Sequence, residues 1–289
     1  MSGSPNDSVV RVGWAKGGAE GDGFGAMGDG GLTPAQVRDF QELGWLCPLP
    51  AIAAGEVPRL RALFERLRRL LPPGASTQQM DWWHAFDREL YELCRAGAIL
   101  DRVESLLGPD FYLWGTQFFA KDPGDGRITP WHQDAFYWPL EPQSSVTVWL
   151  AFADSDRENG AMQVIPGSHL LGPLRHEDLD DRKAVLPLRL ADGLVDPQTA
   201  TFLEMAAGQM SMHDDRIVHG SEPNRSDRLR CGLTIRYSAG EVKCDTSVWP
   251  QFRAYWMRGS DRWRHNPAGT PPAGAMTELR EATATYVDS

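Results

Sequence analysis

The segment Trp131-His132-Gln133-Asp134-Ala135-Phe136-Tyr137-Trp138 places an imidazole and a carboxylate two residues apart in an aromatic, strand-forming context. On a regular strand that spacing puts both side chains on one sheet face. Together they offer two ligands suited to a divalent first-row metal, and a third must arrive from elsewhere in the chain. His219, within Ile217-Val218-His219-Gly220-Ser221, is the natural supplier. Two imidazoles and one carboxylate on one face of an octahedral ion leave about three positions open, which an O2-activating iron(II) centre requires.

A His-x-Asp pair alone is a weak signal, because short motifs arise often by chance. The run from His219 to Arg230 strengthens it, with a hydroxyl at Ser221 and a guanidinium at Arg230. The planar fork of Arg230 suits a distal carboxylate, and Ser221 adds a neutral donor to the same group, so the pair can hold a dicarboxylate. His213 and Asp215 form a rival His-x-Asp pair that would share a face with His219 on a continuous strand. They rank lower, because among later histidines only His265 remains to complete such a triad.

Taken in order, these motifs resemble the phytanoyl-CoA dioxygenase family, a branch of the 2-oxoglutarate oxygenases with a double-stranded β-helix core. The resemblance runs from about Thr33 to Tyr237. It rests on His132-Gln133-Asp134, Trp149 in Val146-Thr147-Val148-Trp149-Leu150-Ala151, Asn159-Gly160, Pro166-Gly167-Ser168-His169 and the His219–Arg230 run. It implies that His132, Asp134 and His219 bind Fe(II), that Arg230 and Ser221 bind the distal carboxylate of 2-oxoglutarate, and that Trp149 and Gln117 border this cosubstrate. It implies hydroxylation of a C–H bond with consumption of O2 and release of succinate and CO2. Related halogenases resemble the same segments but carry Ala or Gly at the Asp134 position, so the carboxylate here favours hydroxylation over chlorination. Desaturation, epoxidation and cyclisation use the same oxidant, and a non-catalytic small-molecule-binding barrel is the reading from another class.

Phe136 and Trp138 share the parity of His132 and Asp134 and are expected to line a substrate pocket or the plain core, with Tyr137 pointing away. Arg236 shares parity with Arg230 and reads either as a receptor for a substrate anion or as a structural ion-pair partner. His213 faces substrate or is a hydrogen-bonded barrel histidine. His169 reads as a loop stabiliser, His84 as a helix-surface residue or a lid element, and His176 and His265 as surface residues.

The elements that must position these groups fall into two textures. Residues 1–31 are rich in Gly, Ser and Asp and are expected to form a flexible arm, leaving 32–289 as one domain. Thr33 and Pro34 suit the start of a helix. Leu60, Leu63, Leu67 and Leu70 recur at helical spacing over 57–71, and a third helical stretch spans 81–107 with an interruption near Gly97. From Phe111 onward the chain turns to short β-rich runs, near 111–119, 131–138, 145–152, 161–165, 186–191, 208–219 and 229–237. The expected fold is therefore mainly β with flanking N-terminal helices, and the resemblance makes it a double-stranded β-helix.

The formal net charge of −10 argues against nucleic acid and anionic membranes as partners. Four cysteines without CxxC spacing read as free thiols, and no apolar run approaches the ~20 residues of a membrane helix. These features, with no signal-peptide pattern, lead to an expected cytoplasmic enzyme acting on a small molecule, free or carrier-bound.

Overall fold

The structure is a computed structural model that describes Phe24 and residues 30–278. The expected arm lies outside the described residues except for Phe24, Gly30 and Gly31; Phe24 is buried, with the Arg59 guanidinium 4.2 Å above its ring.

The N-terminal part carries four α-helices, α1 (Pro34–Leu43), α2 (Val57–Arg68), α3 (Arg88–Leu93) and α4 (Gly97–Leu107), with one strand between the first two. Thr33 begins α1 with a reciprocal cap, its hydroxyl accepting from the Gln36 N–H while the Gln36 side chain accepts from the Thr33 N–H. Gly44 ends α1 in the left-handed region, where a Cβ would stand 2.5 Å from His169 Nδ1. His169 Nε2 in turn meets the Gln41 carbonyl at 3.0 Å, so this histidine locks the helix exit to a loop, as expected. The helix expected over 81–107 is broken more deeply than its periodicity suggested. Trp82 adopts φ +61°, and only α3 and α4 are α-helical.

The strands in chain order are β1 (Trp45–Pro50), β2 (Phe111–Lys121), β3 (Thr129–His132), β4 (Leu140–Glu141), β5 (Ser145–Ala151), β6 (Met162–Val164) and β7 (His176–Asp178). They continue as β8 (Leu188–Leu190), β9 (Thr201–Phe202), β10 (Gln209–Asp214), β11 (His219–Ser221), β12 (Arg230–Ala239), β13 (Lys243–Cys244) and β14 (Tyr255–Arg258). Six of them form one sheet in the order β1-β10-β5-β12-β2-β14, and four form a second in the order β3-β11-β6-β9. The mixed architecture of helices and extensive sheet matches expectation, but the ladders stay open at both edges and do not close into a barrel.

Alternation along β12 divides its side chains between two environments. Cys231, Leu233, Ile235 and Tyr237 join the core beneath the helices, where Leu60, Leu63, Phe64 and Leu67 of α2 are buried. Arg230, Thr234 and Arg236 face the opposite way, into a cavity of about 830 Å³ that is also lined from the smaller sheet by Thr129, His132, Met162 and His219. The larger sheet thus has a dry, helix-covered face and a polar one.

Two expected strands are interrupted, and both interruptions matter. The strand expected over 131–138 ends at His132 and gives way to a 3-10 turn, Asp134–Phe136. The one expected over 208–219 splits into β10 and β11, so His213 and His219 belong to different sheets.

Candidate metal centre and cosubstrate pocket

His132 ends β3, His219 begins β11, and the two are direct cross-strand partners in the antiparallel ladder. Each ring directs Nδ1 at a nearby backbone carbonyl, His132 at Pro130 (2.8 Å) and His219 at Ile217 (3.1 Å). An Nδ1–H there fixes the tautomer and frees Nε2 as a metal ligand. Asp134, on the turn after β3, brings Oδ1 to 3.5 Å from His132 Nε2 and 3.9 Å from His219 Nε2. One ligand atom from each residue lies within 4.8 Å of the other two, and this is the one His/Cys/Asp/Glu group so arranged among the described residues. Ligands about 2.1 Å from a common ion stand about 3 Å apart when adjacent, so the donor set needs only small adjustments.

The protonation states fit the same use. Burial works against ionisation of Asp134, but the imidazoles of His132 and His213, then His219 and Arg236, outweigh it and hold the carboxyl well below its usual range. Burial, followed by the neighbouring His132, holds His219 well below the ordinary imidazole range, so its ring is neutral. A carboxylate and a neutral imidazole are the forms that bind a divalent metal.

At one end of the cavity Arg230 is buried, its guanidinium 4.6 Å above the Trp149 ring. Its one hydrogen bond is a long 3.5 Å contact to the Phe119 carbonyl, its Nε has none, and no carboxylate among the described residues pairs with it. Burial pulls this guanidinium down to about 10, still charged at neutral pH. Trp149 can lie flat beneath it only because position 232 is glycine, where a Cβ would sit 2.0 Å from the indole. Ser221 lies in the same region, its hydroxyl donating to Thr129 Oγ1 (3.0 Å) and accepting from Lys121 Nζ (2.8 Å). A buried cation without an anion, beside hydroxyls and a second amine, fits a carboxylate ligand.

At the other end Arg236 is buried between Trp114 and Trp138, 5.7 and 5.4 Å from the ring centres. Gln117, expected beside the cosubstrate, accepts there from Arg236 Nη2 at 3.1 Å and donates to the Gln78 carbonyl at 3.0 Å.

Trp138 and His213 line the cavity, and His213 Nε2 lies 3.8 Å from Asp134 Oδ2 with neither ring nitrogen hydrogen-bonded. Phe136 does not line it: the turn carries its ring outward, 48% exposed and stacked 4.1 Å from His176, and Tyr137 takes the inward position. His176 is half-buried, its Nε2 accepting from the Gln133 N–H, so it is more than a surface residue. His84 is fully buried against the Thr116 hydroxyl at 3.0 Å, neither surface nor lid. Sequence reasoning missed Lys121, Thr129 and Asp81. Lys121 lies opposite Arg230 in the β2–β12 register, Thr129 opposite Ser221, and Asp81 bridges to Gln117. Only the pairing of distant segments reveals these three.

Two imidazoles and one carboxylate around a common point, opening on a cavity with an unpaired arginine, define an Fe(II)- and 2-oxoglutarate-dependent oxygenase. A profile of the phytanoyl-CoA dioxygenase family matches residues 40–232, and the chain belongs to that family. It is 27% identical to rat peroxisomal phytanoyl-CoA dioxygenase over 240 residues, 73% of this chain and 70% of the relative. It is 30% identical to L-proline trans-4-hydroxylase of Streptomyces griseoviridis over 233 residues, 72% of this chain and 86% of the relative. Among solved structures it is similar to the non-haem monooxygenase ThoJ, with a TM-score of 0.71 and 28% identity, covering 86% of this chain and 91% of that one.

The comparisons also overturn the cytoplasmic expectation, since the rat, bovine, mouse and human relatives are peroxisomal by name. What stands of that reasoning is that no helix of the described residues is long and apolar enough to cross a membrane.

Proposed function

We propose that the protein hydroxylates a C–H bond of a small molecule, with His132, Asp134 and His219 as iron ligands and Arg230 as the anchor of 2-oxoglutarate. The carrying observation is the Arg230 guanidinium, buried, unpaired and facing the cavity that holds the triad. Thr129 and Ser221 complete the anchor: the Ser221 hydroxyl is spent on Thr129, so the Thr129 hydroxyl is the one left to donate to the distal carboxylate. Trp149 orients the guanidinium from below, and Lys121 supplies a second positive charge through Ser221. The two open sheets with the cavity between them are read as a double-stranded β-helix.

Bound iron(II) with 2-oxoglutarate activates O2, and succinate and CO2 leave as a substrate C–H becomes C–OH. The residues position the partners for this chemistry: Arg230 fixes one end of the keto acid, and the indoles and Tyr137 keep the cavity walls apolar around the substrate. With Asp134 as the third ligand, the carboxylate would occupy the position that a halide needs, which favours hydroxylation over halogenation. Relatives named for L-proline and for phytanoyl-CoA have different substrates, so substrate class must come from this chain's own cavity.

The test is succinate release by iron-loaded protein with 2-oxoglutarate, O2 and a metabolite panel. Asp134→Ala is expected to reduce release to background. Arg230→Ala is expected to raise the 2-oxoglutarate requirement by roughly 100-fold, the scale of truncating one partner of a buried charge pair. Unchanged kinetics in both variants refute the assignment.

A further inference from the structure

The second polar cluster of the cavity is not used by iron or by 2-oxoglutarate. Arg236 is 7% exposed, and its Nη2 donates to Gln117, while its Nε has no hydrogen-bond partner. Asp81 also lines the cavity, and its Oδ1 has no hydrogen-bond partner either. The closest approach of the two groups is 3.9 Å between Arg236 Nη1 and Asp81 Oδ1, which is attraction without a hydrogen bond. Arg236 is buried and Asp81 is half-buried with a side chain 13% exposed, and opposite charges so withdrawn from water, each with unused capacity, are costly unless a ligand completes them. Burial lifts Asp81 to about 7 against the opposing pull of Arg236 and of the Trp82 N–H, so the present contacts compensate its charge only in part.

Around this pair the walls are apolar. Trp114 and Trp138 flank the Arg236 guanidinium, and Trp82 and Trp249 also face the cavity. Arg236 is the cross-strand neighbour of Thr147, whose hydroxyl reaches Asp134 Oδ2 at 3.4 Å, so the charged pair stands on the Asp134 side of the metal centre. Arg230 stands six residues away along β12, at the cosubstrate end.

We infer that this cluster is a receptor for a free α-amino acid, with the substrate carboxylate on Arg236 and its ammonium on Asp81. The chemistry is specific. The receptor's opposite charges are close together, which matches an amine and a carboxylate on one carbon. A carrier-bound acyl thioester has no free carboxylate for Arg236, and a simple carboxylic acid leaves Asp81 without a cation. The substrate side chain then extends along the indoles toward the iron ligands. This inference rests on the 2-oxoglutarate oxygenase reading above and deepens it.

Full-length protein loaded with Fe(II) and 2-oxoglutarate without O2 provides the test, because iron-chelated 2-oxoglutarate has a visible charge-transfer band that shifts when substrate enters the cavity. Each of the twenty proteinogenic L-amino acids is titrated against that band, together with its N-acetyl and carboxamide derivatives. At least one amino acid is expected to shift the band at millimolar concentration or below, with both derivatives weaker by about tenfold or more, as loss of a charge-assisted contact requires. Asp81→Asn should erase the preference over the N-acetyl form alone, and Arg236→Met the preference over the carboxamide alone, while both variants keep the band. A wild-type band that no amino acid shifts, or derivatives that bind as tightly as their parents, overturns the inference and leaves the oxygenase reading intact. Absence of the band in wild-type protein overturns the oxygenase reading and the inference with it. If a variant fails to load iron, the wild-type derivative series decides alone.

Discussion

Replacing Gly232 by alanine is expected to weaken 2-oxoglutarate binding through the Trp149 indole, although residue 232 offers the ligand no group of its own. The added Cβ would stand 2.0, 2.2 and 2.3 Å from the Cζ2, Cε2 and Cη2 atoms of Trp149. Ordinary carbon contacts need about 3.5–4.0 Å, so the indole must move by more than an ångström. It cannot do so without leaving Arg230, whose guanidinium carbon lies 4.6 Å above the ring. A cation–π contact contributes ~0.5–2 kcal/mol. Losing part of it and tilting the guanidinium fork together amount to about 1.4–2.7 kcal/mol, a 10- to 100-fold weaker Kd. Anaerobic titration of iron-loaded protein with 2-oxoglutarate reads this directly. Iron affinity should be unchanged, because both metal-binding imidazoles stand on the other sheet. The double-mutant cycle supplies the control: once Trp149→Ala has removed the indole, Gly232→Ala should cost little more. A Kd for 2-oxoglutarate within twofold of wild type in Gly232→Ala, or additive losses in the double variant, would refute the reasoning.

Two further predictions concern pH. Burial, aided by Arg230, pushes the Lys121 ammonium down to about 7, and an incoming dianion favours its charged form. Affinity for 2-oxoglutarate should therefore fall as pH rises above about 7, by at most about tenfold per unit, and Lys121→Met should flatten that profile in the same titration. Asp87 is fully buried; although burial opposes its charge, Arg66 and the Leu90 and Met276 N–H groups hold its carboxyl below the usual range. Its contribution is thus present above the ordinary carboxylate pKa of ~3.9 and lost as pH falls through the lower folded value. Asp87→Asn should cost about 1–3 kcal/mol in urea unfolding at neutral pH and progressively less on acidification. An equal cost at both pH values would exclude the linkage.

The ligand residues were legible in the sequence because metal chemistry admits few residue types, and His132, Asp134 and His219 are of those types. Arg230 and Ser221 were legible as residue types suited to a carboxylate, the role proposed for them above. What failed was the placement of Phe136 and Tyr137, which assumed an unbroken strand, whereas Trp138 lines the cavity as parity suggested. Parity placed Phe136 inward and Tyr137 outward, whereas a 3-10 turn rotates successive side chains by about a third of a circle and reverses that order. The helical pattern around His84 hid a left-handed residue at Trp82, so the histidine is buried instead of exposed. Lys121, Thr129 and Asp81 carry no local signal, because each gains its role from the residue opposite it in a ladder or bridge.

The break after His132 is also what lets His132 and Asp134 converge. On a continuous strand, residues two apart are separated by about 6.8 Å and their side chains run nearly parallel. Two atoms that share an ion at about 2.1 Å each cannot be more than about 4.2 Å apart, so an unbroken strand would hold His132 and Asp134 poorly. The turn converges them to 3.5 Å, and the residue between them secures it. Gln133 is buried, its side-chain amide donates to the Gly172 and Arg216 carbonyls (3.0 and 2.6 Å), and its oxygen accepts from the Leu174 N–H (2.8 Å). Arg216 belongs to the turn that delivers His219, and Ala135 N–H donates to the Asp215 carbonyl of that turn at 2.7 Å. The middle residue of the His-Gln-Asp triplet therefore ties together the two segments that carry all three ligands. In this fold the facial geometry comes from a strand that stops where a buried amide can hold it, rather than from the alternation of a strand.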